Sequence, residues 1–221
     1  MADPVKRRYH SPSRQAQAAR TRGQILDAAD RLFRSKGFGP TSVREIAEAA
    51  QVVPETVYAT FGTKARLLTA LIDARLAPDG QASILERPEL VALSQERDQR
   101  RVLHGFAQDY ATMSARVRPI SEILRTAKAV DPDMAKVRAD IEEHRYRYMR
   151  TVASWLAERG TLLVSVDRAA DVIWTLASPD VGRLLCDDRG WSTDEYATWL
   201  EATLAAALLP PTRSKVARRA R

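Results

Sequence analysis

The sequence predicts an all-α protein with about nine helices, in which a three-helix N-terminal unit precedes a larger helical domain. Apolar residues recur at helical spacing along almost the whole chain, and prolines or glycines fall between those segments. No segment shows convincing strand alternation; the nearest, residues 161–166, is short and is expected to be a loop. These observations together favour a purely helical fold.

The N-terminal unit begins with an amphipathic helix predicted over residues 16–35. Ile25, Leu32 and Phe33 lie on one face of this helix, and Gly37 is a natural stop for it. The preceding residues 1–15 are polar and contain two prolines. They are expected to form a flexible basic arm.

Residues 41–68 carry the most informative pattern of the chain. Ser42 and Glu45 have the spacing of a capping box at the start of a short helix, and Pro54 suits the first position of a second one. Val57 and Phe61 share one face of that second helix. The pattern predicts a helix-turn-helix motif at about residues 42–61, followed by a helix over about residues 64–76.

The second helix of the motif is short, and its polar side chains point away from its apolar face. Both properties are typical of a helix that reads the major groove of DNA. Charge agrees with this interpretation, because residues 1–76 contain thirteen Lys and Arg against seven Asp and Glu. Phosphate contacts require such an excess. The alternative is that exposed arginines are simply common in this chain.

Two further basic segments lie at the ends of the chain. One is the run Lys6-Arg7-Arg8 in the arm, and the other is the tail at residues 211–221. Both are interpreted first as solvated segments. Entry of the arm into an adjacent minor groove, or contact of the tail with DNA, is the alternative.

The larger domain is predicted over residues 77–210, after a Pro/Gly break at residues 77–80. Pro119 is expected to end one helix before the next begins at Ile120. Ser192 is predicted to cap the last helix, which Pro210 closes. Further helix ends are expected near Pro132, Gly160 and Pro179.

Composition excludes several classes of protein. No apolar run approaches the ~20 residues that span a bilayer, and the N-terminus lacks the apolar stretch of a secretory signal. Cys186 is the single cysteine, which excludes an intramolecular disulfide and fits a cytoplasmic location. The histidines show no metal-ligand spacing and no catalytic motif is present, so the sequence predicts neither an enzyme nor a bound metal or cofactor.

Residues 19–79 resemble the TetR family of bacterial transcriptional regulators. The resemblance is carried by LDAADRLFRSKGF, by TSVREIAEAA and, most specifically, by TVYATFGTKARLL. It implies a DNA-binding domain, here residues 16–76, joined to a helical domain that dimerises and binds an effector. A looser similarity covers the segment from Asp171 to Leu209.

The resemblance also implies roles for individual side chains. Ser42 would contact a phosphate, and Arg44 would bind a base edge, since arginine can reach guanine O6 and N7 together. Tyr58 would bind a phosphate and pack on the sugar, and Lys64 would add a phosphate contact at a helix start. The complete set of implied DNA contacts is Ser42, Arg44, Pro54, Glu55, Thr56, Tyr58, Thr60 and Lys64.

Two positions depart from the family pattern. Gln51 stands where the family usually has glycine, in a turn that is expected to need positive φ, at a cost of roughly 1 kcal/mol. Val53 replaces the usual Ser or Thr cap of the second helix, so ~1 kcal/mol of capping is forfeited, partly relieved by Pro54. Base reading is then expected to depend on Arg44, Glu55 and Thr56.

A set of aromatic, soft or titratable side chains lies on the predicted inward faces of the larger domain. They are interpreted first as core residues and second as the lining of an effector pocket. His144 is included because it lies three residues after Ile141 and four before Tyr148, on the predicted inward face. The set is Tyr110, Met113, His144, Tyr148, Trp155 and Trp174.

The last helix is unusually apolar, and Ala202, Ala205 and Ala206 would allow a partner helix to approach closely. This face packs either between two subunits or within one chain. The sequence therefore predicts a homodimeric repressor that a small-molecule effector releases from a palindromic operator. A transcriptional activator, an effector-independent DNA-binding protein and, in another class, a helical enzyme or carrier remain as alternatives.

Overall fold

The computed structural model describes residues 12–76, 84–127 and 133–211. Those ranges contain nine α-helices of seven residues or more, one single-turn helix, a 3₁₀ turn at Ile84–Glu86 and a π-turn at Arg183–Asp187, so the all-α prediction is confirmed. In that part of the chain, no helix combines the length and apolar character needed to cross a bilayer. The helices are α1 (Pro12–Lys36), α2 (Val43–Ala49), α3 (Pro54–Phe61), α4 (Lys64–Leu76), α5 (Pro88–Gln95), α6 (Gln99–Ala127), α7 (Asp133–Arg159), α8 (Val166–Leu176), α9 (Pro179–Gly182) and α10 (Thr193–Leu208).

The first four helices pack around an N-terminal core. Each of them contributes buried side chains, among them Ile25, Ile46, Val57 and Leu68. The spacing of these residues is what the 3.6-residue period of an amphipathic helix requires. The core holds α2 and α3 from behind, so their opposite faces remain in solvent.

The bounds of α1 agree with the prediction at one end and differ at the other. The helix ends at Lys36, and Gly37 follows it with a φ of 84° and donates its N–H to the Phe33 carbonyl oxygen at 2.9 Å. It starts at Pro12, four residues earlier than predicted. Proline suits a helix start, because its missing N–H would have no partner in the first turn.

The helix α6 is continuous over 29 residues with Pro119 in its interior, so the prediction that Pro119 ends a helix is wrong. Proline inside a helix costs roughly 3 kcal/mol, since it removes one backbone hydrogen bond and crowds the preceding turn. The cost is offset because both halves are buried. Residues before Pro119 lie in a C-terminal core, whereas Ile120, Ile123 and Leu124 lie in the N-terminal core.

The C-terminal core is formed by α5 to α8 and α10. Three tyrosines, Tyr110, Tyr148 and Tyr196, are buried in it together with leucines from α6, α7 and α10. The apolar face of α10 packs on α6, and α7 packs closely against α8. Since α6 has buried residues in both cores, it connects the larger domain to the N-terminal unit.

Helix α5 has no counterpart among the helices predicted from the sequence. This helix contributes one buried side chain, Leu90, so its apolar pattern is weak. Arg87, directly before it, is buried and forms an ion pair with Asp109 on α6, and both side chains keep only 7% of their surface in solvent. Long-range contact, rather than local pattern, fixes the position of α5.

Several predictions concern residues outside the described ranges. These are the basic run Lys6-Arg7-Arg8, the break at residues 77–80, the helix end near Pro132 and the basic tail beyond residue 211. The loop at 161–165 and the caps of the last helices are described. Ser192 caps α10 in a capping box with Glu195, and α10 ends at Leu208, two residues before Pro210, as predicted.

Candidate nucleic-acid interface

The start of α2 is fixed by the predicted capping box. The Glu45 N–H donates to Ser42 Oγ (3.2 Å), and the Ser42 backbone N–H donates to Glu45 Oε2 (2.8 Å). Lys36, at the end of α1, donates to Glu45 Oε1 at 2.7 Å. The Lys36 ammonium and the Ser42 hydrogen bonds lower the pKa of Glu45 to about 2. The ionised carboxylate therefore anchors the first turn of α2, in which Arg44 is exposed.

The Ser42 hydroxyl has both of its hydrogen-bonding functions engaged in this cap. Its oxygen accepts from the Glu45 N–H, and its proton is directed at Glu45 Oε2, 2.9 Å away. A phosphate oxygen needs a donor. The predicted phosphate contact of Ser42 therefore requires the hydroxyl to turn away from Glu45.

The turn between α2 and α3 has the backbone that the sequence analysis anticipated. Gln51 has a φ of 56° and, among the described residues, is the one non-glycine residue with positive φ. The left-handed region crowds a Cβ atom, at a cost of roughly 1–2 kcal/mol. The turn persists because Ala47 and Ala50 beside it are buried in the N-terminal core.

We expect Gln51→Gly to raise the free energy of unfolding by about 0.5–1 kcal/mol, since removal of the Cβ strain exceeds the extra entropy of glycine in the unfolded chain. Urea unfolding monitored by circular dichroism measures this change. Gln51→Ala keeps a Cβ atom and is the matched control. A glycine variant no more stable than the alanine variant would contradict the assignment of strain.

The helix α3 buries one face and exposes the other. Val57 and Phe61 are buried in the N-terminal core. On the opposite side Glu55 and Thr60 are exposed, and Tyr58 keeps 54% of its surface in solvent. The structure therefore makes the outer face of α3 available to a partner along its whole length.

The start of α3 is apolar and exposed. Val53 occupies the N-cap position with 59% of its surface in solvent, and its side chain carries no acceptor for the first N–H groups. Pro54 follows at the first helical position, where its missing N–H needs no partner. The exposed Val53 side chain therefore adds apolar surface beside the outer face of α3.

Lys64 has a structural role that was not predicted from the sequence. Its Nζ donates to the carbonyl oxygens of Phe38 (2.9 Å), Thr41 (2.9 Å) and Gly39 (3.4 Å), and lies 4.3 Å from the Phe38 ring centroid. Three protein acceptors use the three donors of an ammonium group. Lys64 therefore braces the α1–α2 connection, and its charge alone remains for a phosphate.

The N-terminal half of α1 adds a basic surface that the sequence analysis did not assign. From Pro12 onward the first acidic residue of α1 is Asp27, and the side chains of residues 13–20 are all exposed. A groove of about 550 Å³ separates this half from α3. Its polar lining consists of Arg14, Gln17, Thr21, Arg22, Thr56 and Thr60.

A sequence signal for this surface exists. Arg14 and Arg22 are two turns apart and share one face of α1. The Arg22 guanidinium also lies 4.6 Å from the Phe61 ring centroid, at the end of α3. The signal was missed because the helix was predicted to start at residue 16, which left Arg14 in the arm.

The six candidate effector residues do not share one environment. Tyr110, Met113 and Tyr148 are buried in the C-terminal core, and Trp155 and Trp174 pack against it. His144 is exposed, with Nδ1 2.6 Å from the Asp140 carbonyl oxygen, so its predicted inward position is wrong. The residue next to it, Arg145, does reach α8, where it donates to the Trp174 carbonyl oxygen. Both interpretations place side chains in or against this core, so the choice between core and effector pocket stays a prediction for these five residues.

Residues 25–71, which span this interface from α1 into α4, match the model of the bacterial regulatory proteins of the tetR family. Over 207 residues the chain is 30% identical to a probable HTH-type transcriptional regulator, ArpR, of Pseudomonas putida, and this match covers 90% of the chain and 97% of that protein. A second relative, the HTH-type transcriptional regulator TtgR, also of Pseudomonas putida, is 30% identical over 131 residues, which is 55% of the chain and 57% of TtgR.

Solved structures share the fold. Crystal structures of NalD, the secondary repressor of the MexAB-OprM multidrug efflux pump in Pseudomonas aeruginosa, include a native form with a TM-score of 0.65 and 22% identity, over 87% of this chain and 98% of that chain. The fatty acid degradation regulator FadR from Bacillus halodurans has a TM-score of 0.64 and 15% identity, over 83% and 94% of the two chains. At these identities the likeness concerns the fold.

Proposed function

We propose that this chain, which belongs to the TetR family of bacterial regulatory proteins and is a DNA-binding transcriptional regulator, represses transcription as a homodimer that a small-molecule effector releases from a palindromic operator. One observation carries the proposal. The face of α3 opposite Val57 and Phe61 is exposed and presents Glu55 and Tyr58. A short helix whose inner face packs on a core and whose outer face is exposed can enter the major groove.

We assign recognition of the DNA bases to the start of α2 and the outer face of α3. Arg44 is exposed in the first turn of α2, from which a guanidinium can bind guanine O6 and N7. Glu55 can accept a hydrogen bond from cytosine N4, and the exposed methyl groups of Val53 can contact the thymine methyl. Pro54 and Thr56, which are half-buried, complete this reading surface.

Binding of the sugar-phosphate backbone is assigned to side chains around that surface. Tyr58 is exposed, and its hydroxyl can donate to a phosphate. Thr60 lies on the groove beside α1, and its hydroxyl donates to the Thr56 carbonyl oxygen at 2.7 Å. Arg14 and Arg22 line the same groove, and their charge attracts phosphate without sequence preference. Such contacts would fix the register in which α3 enters the major groove.

Dimerisation is assigned to the C-terminal helices. The leucines of α10 are buried within the chain on α6, which is the monomeric alternative of the sequence analysis. Its small residues Ala202 and Ala206 are nevertheless exposed, which leaves a flat helix surface for a second copy. Two copies would place two α3 helices in successive major grooves of a palindrome, about one helical turn apart.

Transcription in vitro tests the proposal. Operator DNA is selected from randomised duplexes with the purified protein and placed across a promoter. We expect the protein to reduce the amount of transcript. We also expect the logarithm of its association constant for the duplex to fall linearly with the logarithm of the salt concentration, with a slope of about −0.9 for every phosphate neutralised. An increased transcript would establish an activator. A salt slope near zero on every duplex tested would contradict DNA binding through phosphates.

A further inference from the structure

Three polar side chains share one face of α6, and two of them, Ser114 and Arg118, lie against the segment that contains α9 and the π-turn. Tyr110, Ser114 and Arg118 are spaced by four residues and so lie on one helix face. A Cβ atom placed on Gly182 of α9 would lie 2.9 Å from Ser114 Oγ and 3.3 Å from Arg118 Cδ. The glycine therefore lets α9 close directly over Ser114 and Arg118.

The hydrogen bonds of this face are incomplete. Ser114 keeps 4% of its surface in solvent, and the Arg118 side chain keeps 12%. Within the described ranges, Ser114 Oγ and the Arg118 Nε and Nη1 atoms are buried without a hydrogen-bond partner. A buried donor without a partner is unfavourable, and a guanidinium cannot lose its proton to escape the cost.

Asp187 of the π-turn compensates the Arg118 charge only in part. Its Oδ1 lies 3.3 Å from Arg118 Nε, without the alignment of a hydrogen bond, and half of its side chain is in solvent. A well-formed arginine–carboxylate pair uses two parallel hydrogen bonds. The site thus holds a guanidinium that can bind a carboxylate better than its present partner does.

The surroundings of Arg118 combine aromatic surface with a second cation. Burial raises the pKa of Tyr196, as does the neighbouring Cys186, while Arg118 and Arg145 act in the opposite direction. Arg145 itself is satisfied, since it donates to the carbonyl oxygens of Trp174 (2.6 Å) and Ala177 (3.0 Å). A ligand here would meet apolar and aromatic side chains and one incompletely paired cation, Arg118.

We propose that Ser114 and Arg118 bind the carboxylate of the effector, whose apolar body lies between Tyr110, Tyr196 and the α9 segment. The ligand class is thus an amphipathic carboxylate. This assignment rests on the proposed function in that it names the effector which changes operator binding. When the carboxylate pairs with Arg118 in place of Asp187, the π-turn at Arg183–Asp187 loses its ion pair with α6. We expect α9 to move away from α6 to admit the ligand.

The position of Arg118 in α6 also suggests how binding of the ligand changes the N-terminal unit that contacts DNA. Arg118 directly precedes Pro119, and one residue later α6 enters the N-terminal core through Ile120. Proline weakens the helix at this junction by removing a backbone hydrogen bond. A change in the partner of Arg118 therefore acts on the helix at the point where its two halves belong to different cores.

Calorimetric titration of the full chain without DNA tests the site, with sodium octanoate and its neutral counterpart octanamide as probes. We expect octanoate to bind wild-type protein at least tenfold more tightly than octanamide, because only the carboxylate forms charge-assisted hydrogen bonds. Arg118→Gln should abolish this preference. Asp187→Asn should tighten octanoate binding, since it removes the competing carboxylate; a purely structural Arg118 would not produce that result.

Arg150→Gln is the matched control, because Arg150 pairs with Asp167 on the surface at 2.9 Å and should leave the preference unchanged. Equal binding of the two probes, absence of binding, or an octanoate preference retained in Arg118→Gln would overturn the site. Octanoate that binds wild type but leaves operator affinity unchanged would overturn its role as effector. Operator binding of an Arg44→Ala variant is measured separately. Its loss tests the proposed function, because Arg44 lies on α2 and outside the carboxylate site.

Discussion

Replacement of Arg44 by alanine should weaken operator binding by about 1–3 kcal/mol for each half-site, which is a factor of about 5 to 150. A homodimer carries the change twice, so the loss for the whole operator is the square of that factor. The reason is that Arg44 is exposed in the first turn of α2, where its guanidinium can form a bidentate pair with guanine. Fluorescence anisotropy with the selected operator measures the loss.

Two further variants separate base reading from phosphate binding. Tyr58→Phe removes one hydroxyl from an exposed side chain and should weaken all duplexes alike, by about 0.5–1.5 kcal/mol for each half-site. Arg147→Ala is the control for loss of one positive charge. Arg147 is exposed on α7, and its ion pair with Glu143, at 3.8 Å, is long and also exposed. If Arg44→Ala and Tyr58→Phe bind as well as Arg147→Ala does, the reading surface is wrongly assigned.

The largest effect on stability is expected at the ion pair that joins α5 to α6. Asp109→Leu leaves the buried Arg87 guanidinium with only the exposed Glu89 carboxylate, 3.7 Å away, which costs about 3–5 kcal/mol. Burial raises the pKa of Asp109, and the hydrogen bond from Arg87 opposes that rise. Removal of either side chain therefore leaves the other buried without its partner, which is energetically unfavourable. Urea unfolding at neutral pH measures the change.

The double variant Arg87→Met/Asp109→Leu distinguishes this explanation from simple loss of packing. Apolar side chains of similar size leave no buried charge, so the double variant should recover most of the stability that Asp109→Leu loses. Glu143→Gln removes an exposed pair partner and should change stability by less than about 1 kcal/mol. A double variant as unstable as Asp109→Leu would contradict the role of the unpaired charge.

The sequence predicts those parts of the fold that local chemistry determines. The capping box of Ser42 and Glu45, the stop at Gly37 and the proline start of α3 all depend on residues within one helical turn. The strain at Gln51 is predicted from the resemblance to the TetR family, which usually has glycine in this turn, and the positive φ of Gln51 agrees with it. Each of these signals has a direct cause in backbone hydrogen bonding or sterics.

Features that depend on distant contacts are not predictable in this way. Pro119 reads locally as a helix end, yet Ile120 and Ile123 are buried against helices that precede α6 by dozens of residues. Lys64 is predicted to contact a phosphate, and its hydrogen bonds within the protein were not predicted because the carbonyl oxygens that accept them lie 23 to 26 residues away in the chain. His144 fits the period of α7, but Arg145 beside it makes the contact with α8.

The proposed DNA-binding surface also contains some residues that local pattern identifies and others that only distant contacts identify. The outer residues Glu55 and Tyr58 follow from the period of α3, because Val57 and Phe61 must face the core. The basic half of α1 does not, since its alignment with Thr56 and Thr60 depends on how α1 crosses α3. A periodic pattern identifies a face, whereas the neighbour of that face is a property of the folded chain.

Methylation protection of guanine N7 on the selected operator measures most directly whether the exposed face of α3 occupies the major groove. We expect protected guanines in two successive major grooves whose centres lie about one helical turn apart. The double variant Glu55→Ala/Thr56→Ala should lose or shift protection within each half-site. Wild-type protein that binds the operator but leaves guanine N7 open, or protection that the α3 variant leaves unchanged, would contradict the account.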